Sequence, residues 1–230
     1  MEAEWRTRKA TRAGGEAVEP LYTIADAQGV ISLFRRCNYG EMIQPGHGIE
    51  LRFTDAGHLL GSAFIELWMT EGNETKKIVF SGDVGNHDQR IICDPKTVEE
   101  TDYLVIESTY GNRVHAADRK NVVEELASHI QRALDRGGNV VIPAFAVGRT
   151  QEMLYAIREI KQRGLVTGHD KFPVYVDSPL ASEATAVFMQ CNDICFDEET
   201  LQLLKKGINP IWFDGIRITQ TADESKLINA

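Results

Sequence analysis

The chain has 230 residues, of which 43% are hydrophobic and 26% charged, and a formal net charge of -9. This length allows one large domain or two modest ones around a sizeable core, and the acidic balance argues against holding nucleic acid by bulk electrostatics, which relies on Lys and Arg displacing counterions from phosphates. No apolar run approaches the roughly 20 residues that span a bilayer, and the stretch Met1 to Arg6 lacks the pattern of a signal peptide; a cytoplasmic location without membrane contact is the expectation.

Residues 1–19 are charged and helical in tone. Residues 49–54 (IELRFT), 63–69 (AFIELWM), 77–81 (KIVFS) and 103–106 (YLVI) read as strands, separated by turn signals such as Glu71-Gly72-Asn73 and Gly82-Asp83-Val84-Gly85. Asn73-Glu74-Thr75 has the form of a glycosylation acceptor but reads as a turn before a strand. After Asp118 the apolar period changes. Val122, Val123, Leu126, Ile130, Ala133 and Leu134 make one helical stripe, with Asp118 as N-cap and Gly137-Gly138 as the stop. A strand is expected at 139–144 (NVVIPA), a helix at 148–162 with Met153, Leu154, Ile157 and Ile160 on one face, and a strand at 173–178 (PVYVDS). This alternation predicts right-handed βαβ units and a parallel sheet. The tail, 197–230, reads as mainly helical around Ile211-Trp212-Phe213. The class is α/β, with a boundary near Asn112 to Ala117 that divides the chain into domains 1–115 and 116–230.

The charge is unevenly placed: residues 41–110 hold 13 Asp and Glu against 5 Lys and Arg, whereas 111–170 hold 7 against 9. The acidic stretch suits bound cations, although a solvated acidic face explains it as well. The four cysteines, Cys37, Cys93, Cys191 and Cys195, contain no C-x-x-C pair and read as reduced and structural.

Three chemistry-bearing residues follow strands: His58 after IELRFT and its turn, Asp83 after KIVFSG, and Glu107 after YLVI. Loops at strand ends present side chains on a rigid support. Imidazole and carboxylate suit zinc, but catalytic zinc usually takes three protein ligands and a water. On spacing alone His58 also reads as a structural histidine at a bulge, and Asp83 as turn chemistry. Glu107, directly after four apolar residues, is expected to be partly buried and to need partners. Gly148-Arg149-Thr150, at a strand-to-helix turn, offers backbone and side-chain donors suited to phosphate, or forms a structural turn. Asp177-Ser178-Pro179 shares that rim or caps the next helix.

Together GHLLGSA, FSGDVG, IESTYGNRVH, PAFAVGRTQE and VDSPLA, in this order and spacing, resemble the metallo-β-lactamase-fold nucleases of the β-CASP branch. That RNA-processing group includes the cleavage and polyadenylation specificity nucleases and their prokaryotic relatives. The resemblance implies a partial αββα metallo-β-lactamase fold followed by part of a Rossmann-like α/β β-CASP domain. It further implies that His58 is a zinc ligand, that Asp83 bridges two zinc ions, and that Glu107 orients a catalytic histidine, making Asp83 and Glu107 the catalytic pair. Gly148, Arg149, Thr150, His115 and Ser178 face the RNA substrate in this reading. The family's H-x-H-x-D-H cluster and its later histidines have no match here, and His47, His87, His129 and His169 match no ligand motif. The expectation is therefore an internal fragment of a zinc-dependent ribonuclease, inactive alone because its ligand set is incomplete. The parent is expected to act as a homodimer or within a processing complex. A non-catalytic RNA-binding subunit and a small-molecule hydrolase of the same superfamily are the alternatives.

Overall fold

The computed structural model describes residues 2–12, 14, 20–113, 122–191 and 195–228. Two compact units are present, residues 1–38 and 39–230. The first contains helix α1 (Glu2–Arg12) and helix α2 (Ile24–Ile31). Thr23 caps α2 by accepting the Asp26 N–H, and the Asp26 carboxylate accepts the Thr23 N–H in return, which satisfies two of the donors that a helix start leaves unpaired. No residue of α2 is buried.

The second unit opens with a five-stranded sheet among the described residues, in the order β1 (Ile43–Gly46), β2 (Ile49–Asp55), β3 (Ala63–Glu71), β4 (Glu74–Phe80) and β5 (Tyr103–Val105). Strands β1 to β4 run antiparallel to their neighbours, and β5 lies parallel to β4. The C-terminal ends of β2, β4 and β5 therefore meet at one edge. The period of two along each strand sorts the side chains. Phe53 opposite Ile65 and Leu67 opposite Ile78 share one face, while Arg52 opposite Glu66 and Trp68 opposite Lys77 share the other.

That second face buries a charge. Glu66 is 0% exposed, and Arg52 grips it through two bonds of 2.9 and 3.0 Å. Thr54 adds a hydroxyl at 2.6 Å and Lys77 an ammonium at 2.7 Å. Arg52 and Lys77 also lie over the Trp68 ring, at 5.3 and 5.1 Å from its centroid. Burial pushes the Glu66 carboxyl up, but the bonds from Arg52, Lys77 and Thr54 more than reverse this and hold it at about 2.

The remainder is helix-rich: α3 (Val122–Asp135), α4 (Arg149–Arg163), α5 (Pro179–Gln190), α6 (Glu198–Lys205) and α7 (Ala222–Ile228), with strands β6 (Val174–Val176) and β7 (Ile216–Ile218) paired in parallel. Val123, Ala127 and Ile130 of α3 pack on Ala156 and Ile160 of α4, as the apolar stripe requires. A second core joins Leu154 and Tyr155 of α4, Val176, Phe188 and Ile211, and it also takes in Ile91 and Ile92 from the chain between β4 and β5.

The strands expected at 49–54, 63–69, 77–81, 103–106 and 173–178 are present with shifted ends, and Gly72-Asn73 is the turn between β3 and β4. Two corrections follow. The strand expected at 139–144 is absent from the described strands: the segment pairs with no described strand, and Val141 is 85% exposed. The tail expected to be mainly helical contains β7, whose three residues are too few to show a period. Asp118 and the boundary segment beyond Arg113 lie outside the described residues.

Acid stability is the direct consequence of the Glu66 cluster. A carboxyl whose folded pKa is depressed stabilises fully above its unfolded value, near 4.3, and this contribution is lost as pH falls from there to about 2. Urea unfolding should show a loss of about 3 kcal/mol across that window. Glu66→Gln, which leaves two cations without a counter-charge, should cost about 3 kcal/mol at neutral pH and flatten the acid limb.

Candidate functional site

The sheet edge carries the site. His58 lies in the loop after β2, Asp83 in the loop after β4, and Glu107 two residues past β5. His58 Nε2 and Asp83 Oδ2 are 3.9 Å apart, with the side chains 41% and 73% exposed. The loop from Ala56 to Ser62 closes on itself. Ser62 Oγ accepts the N–H groups of His58 and Leu59, at 3.0 and 3.1 Å, and the Ser62 carbonyl accepts the Ala56 N–H at 3.2 Å and the Tyr39 hydroxyl at 2.8 Å. Buried Asp55, at the end of β2, accepts the Gly57 N–H at 2.9 Å.

The loops carrying His58 and Asp83 meet backbone to backbone. The Gly85 N–H donates to the Ala56 carbonyl at 2.8 Å. A Cβ on Gly85 would lie 1.8 Å from the Gly57 carbonyl oxygen and 2.7 Å from the His58 nitrogen. Gly57 has φ +60°, and a Cβ there would lie 2.5 Å from the Pro95 nitrogen. Both glycines are required by contact, and both were missed in the sequence, where Gly57 reads only as part of a bulge at His58 and Gly85 only as a turn residue. A signal was present: each lies within two residues of a candidate ligand.

Glu107 is partly buried, as expected, and its partners are now identified. Its Oε1 accepts the Val84 N–H at 2.6 Å, and its own N–H donates to Ser81 Oγ at 3.0 Å. The Val84 bond holds the carboxyl below its usual range, helped by Thr109 and the nearby His58 and opposed by slight burial. Glu107 thus fastens the Asp83 loop to the end of β5.

The structure brings His58, Asp83 and Glu107 together at one edge. His115 lies outside the described residues. The Gly148 N–H donates to Gln151 Oε1 at 2.7 Å, Thr150 Oγ1 donates to the Phe145 carbonyl at 2.8 Å, and Arg149 pairs with Glu152 at 2.5 Å. Ser178 caps α5 by accepting the Ala181 N–H at 3.2 Å, and Asp177 accepts the hydroxyls of Thr219 and Ser225. His129 is exposed beside Arg132.

Two donors bound at about 2.1 Å to one tetrahedral ion lie roughly 3.4 Å apart, so His58 and Asp83 suit a shared ion after a small rotation of the exposed aspartate. Among the described residues, no group of three His, Cys, Asp or Glu side chains is placed to hold a metal. What the geometry defines is an α/β protein with paired metal-type donors on a rigid sheet edge.

Comparison with known proteins agrees. Residues 150–230 match the model of the Beta-Casp domain. The chain is 33% identical to Ribonuclease TTHA0252 of Thermus thermophilus over 213 residues, which is 92% of this chain and 46% of that protein. It is 34% identical to an RNase J-like protein of Methanocaldococcus jannaschii over 210 residues (90% and 47%), and 31% identical to the transcription termination factor FttA of a Lokiarchaeum species over 212 (91% and 32%). The chain thus spans half or less of the length of these curated relatives. Residues 150–230 thus carry the Beta-Casp domain, and the chain is similar over about nine-tenths of its length to a ribonuclease and an RNase J-like protein.

The glycine joint can be tested on stability. Gly85→Ala should lower the melting temperature by several degrees, consistent with a loss of about 2 kcal/mol or more. Gly46→Ala, where an added Cβ meets nothing within 4 Å, should change it little.

Proposed function

We propose that this chain supplies part of the active site of a metal-dependent ribonuclease that hydrolyses RNA phosphodiester bonds. The observation that carries this reading is the approach of His58 Nε2 to Asp83 Oδ2, 3.9 Å apart at a sheet edge, in a chain homologous over nine-tenths of its length to a ribonuclease and an RNase J-like protein. In this reading zinc is the cofactor, and His58 and Asp83 are the residues that would hold it. Bound zinc would supply Lewis acidity, readying a water for attack and countering charge on the phosphate oxygens. Glu107 positions the Asp83 loop through Val84, and in the intact enzyme it orients the histidine that protonates the leaving oxygen. Gly148, Arg149, Thr150 and Ser178 border the RNA backbone in this reading; His115, assigned to the same role, lies outside the described residues. Arg149 reaches a phosphate by releasing Glu152. The isolated chain binds zinc weakly and does not cut RNA, because two donors offset little of the cost of desolvating the ion and ordering the site.

A chimera tests this. Replacing the aligned segment of the Thermus thermophilus ribonuclease with this chain should give a folded protein that cleaves RNA, and Asp83→Ala should reduce cleavage by about 100-fold or more. A folded chimera that binds RNA without cutting it would favour the RNA-binding alternative, and one that hydrolyses only esters or lactams the small-molecule alternative. For the isolated chain, zinc titration should give weak binding that His58→Ala removes. Stoichiometric zinc retained through dialysis would overturn the assigned ligand set.

A further inference from the structure

Ile92 and Phe196 form an isolated antiparallel bridge. The register of such a pair sets Cys93 opposite Cys195, and two bonds flank it: the Cys93 N–H donates to the Cys195 carbonyl at 2.9 Å, and the Asp197 N–H to the Ile91 carbonyl at 3.0 Å. Directly opposed residues at a hydrogen-bonded position of an antiparallel pair have Cα atoms about 5.5 Å apart and side chains on one face. Disulfides span Cα separations of about 4.4 to 6.8 Å. Both cysteines are half-buried thiols, and Cys93 Sγ now donates to the Phe196 carbonyl at 3.1 Å. The backbone is braced on both sides. The Ile91 N–H donates to Asp197 Oδ2 at 3.0 Å, while Asp197 Oδ1 caps α6 through the Thr200 N–H at 2.7 Å.

We propose that Cys93 and Cys195 are a redox-modification pair that a hydroperoxide joins into a disulfide. One sulfur attacks the peroxide O–O bond and becomes a sulfenic acid, releasing water. The second thiol then displaces that hydroxyl as another water, so two thiol protons and two electrons leave the sulfurs and hydrogen peroxide is reduced to two waters. The product ties the chain that follows Asp83 to the start of α6. Arg90, Ile91 and Ile92 line a seam shared with His58 and Gly148, so the bond clamps the wall beside the candidate metal ligands. Burial, with the carboxylates of Asp55 and Asp197 close by, pushes the Cys93 thiol up, which makes the reaction slow and favours mildly alkaline conditions. The inference holds whether or not the chain takes part in RNA cleavage.

Trypsin separates the two partners: Cys93 falls in the peptide 91–96, and Cys195 in the peptide 172–205 together with Cys191. The 230-residue chain is treated with excess hydrogen peroxide at mildly alkaline pH, alkylated, and digested without reduction. The two peptides should run as one joined species that dithiothreitol splits, and Cys93→Ser should abolish it. The oxidised chain should also melt several degrees higher, because the bond closes a loop of about 100 residues in the unfolded state. Cys93 still alkylated after oxidation, or a bond confined to Cys191 and Cys195 within 172–205, overturns the proposal. A joined species that melts no higher overturns it too, because the bond would then form only by distorting the bridge.

Discussion

The arrangement of the site depends on one contact, the docking of the Gly85 N–H on the Ala56 carbonyl at 2.8 Å with the Gly57 carbonyl against the Gly85 α-carbon. His58 and Asp83 are partly or largely exposed, so burial alone does not fix their separation. Their loops fix it. Each loop is held by its own polar bonds, Ser62 Oγ beneath the His58 backbone and Glu107 beneath Val84, and the glycine joint sets one loop against the other. A side chain at Gly85 would push the two loops apart, and one at Gly57 would strike the backbone at Asp94 and Pro95.

The chain beyond this joint connects the sheet to the helical part. Ile91 and Ile92 enter the same core as Tyr155, Phe188 and Phe196, Arg90 bonds Glu159 of α4 at 2.5 Å, and Asp197 holds both the Ile91 backbone and the start of α6. On the helical side, Gly148 has φ +82° and lies against the Leu59 side chain, next to His58: a Cβ there would lie 2.4 Å from Leu59 Cδ2. The loop carrying His58 is thereby packed against the start of α4. On the function proposed above, the sheet would supply metal ligands and the helices the surface that faces RNA, so this packing would relate chemistry to substrate.

The sequence conveyed much of this through period. Alternation in IELRFT and AFIELWM and the apolar stripe of α3 reflect which face is covered, a property of each segment by itself. NVVIPA misled because an apolar run states that a partner is needed without stating that one is present, and Val141 is 85% exposed. The three-residue β7 was too short to register. The buried Arg52, Glu66 and Lys77 cluster was also hidden, since charged residues in a strand read as a wet face until cross-strand register brings opposite signs together. At the site, the residue types of His58, Asp83 and Glu107 were legible, and their convergence followed from the strand order. The partners were not. The acceptor role of Glu107 toward a backbone N–H, and the contact requirement at Gly57 and Gly85, depend on distances between segments that a linear reading does not contain.

The central claim is that His58 and Asp83 are held as a pair ready to share a metal ion. Nitrogen-15 spectra of the histidine rings during zinc titration test it most directly, because a ring nitrogen that binds zinc shifts strongly and the six histidines of the chain report separately. The account predicts that the Nε2 resonance of His58 responds first and that Asp83→Ala weakens the response. Zinc that goes first to another histidine, or a His58 response indifferent to Asp83, would contradict it.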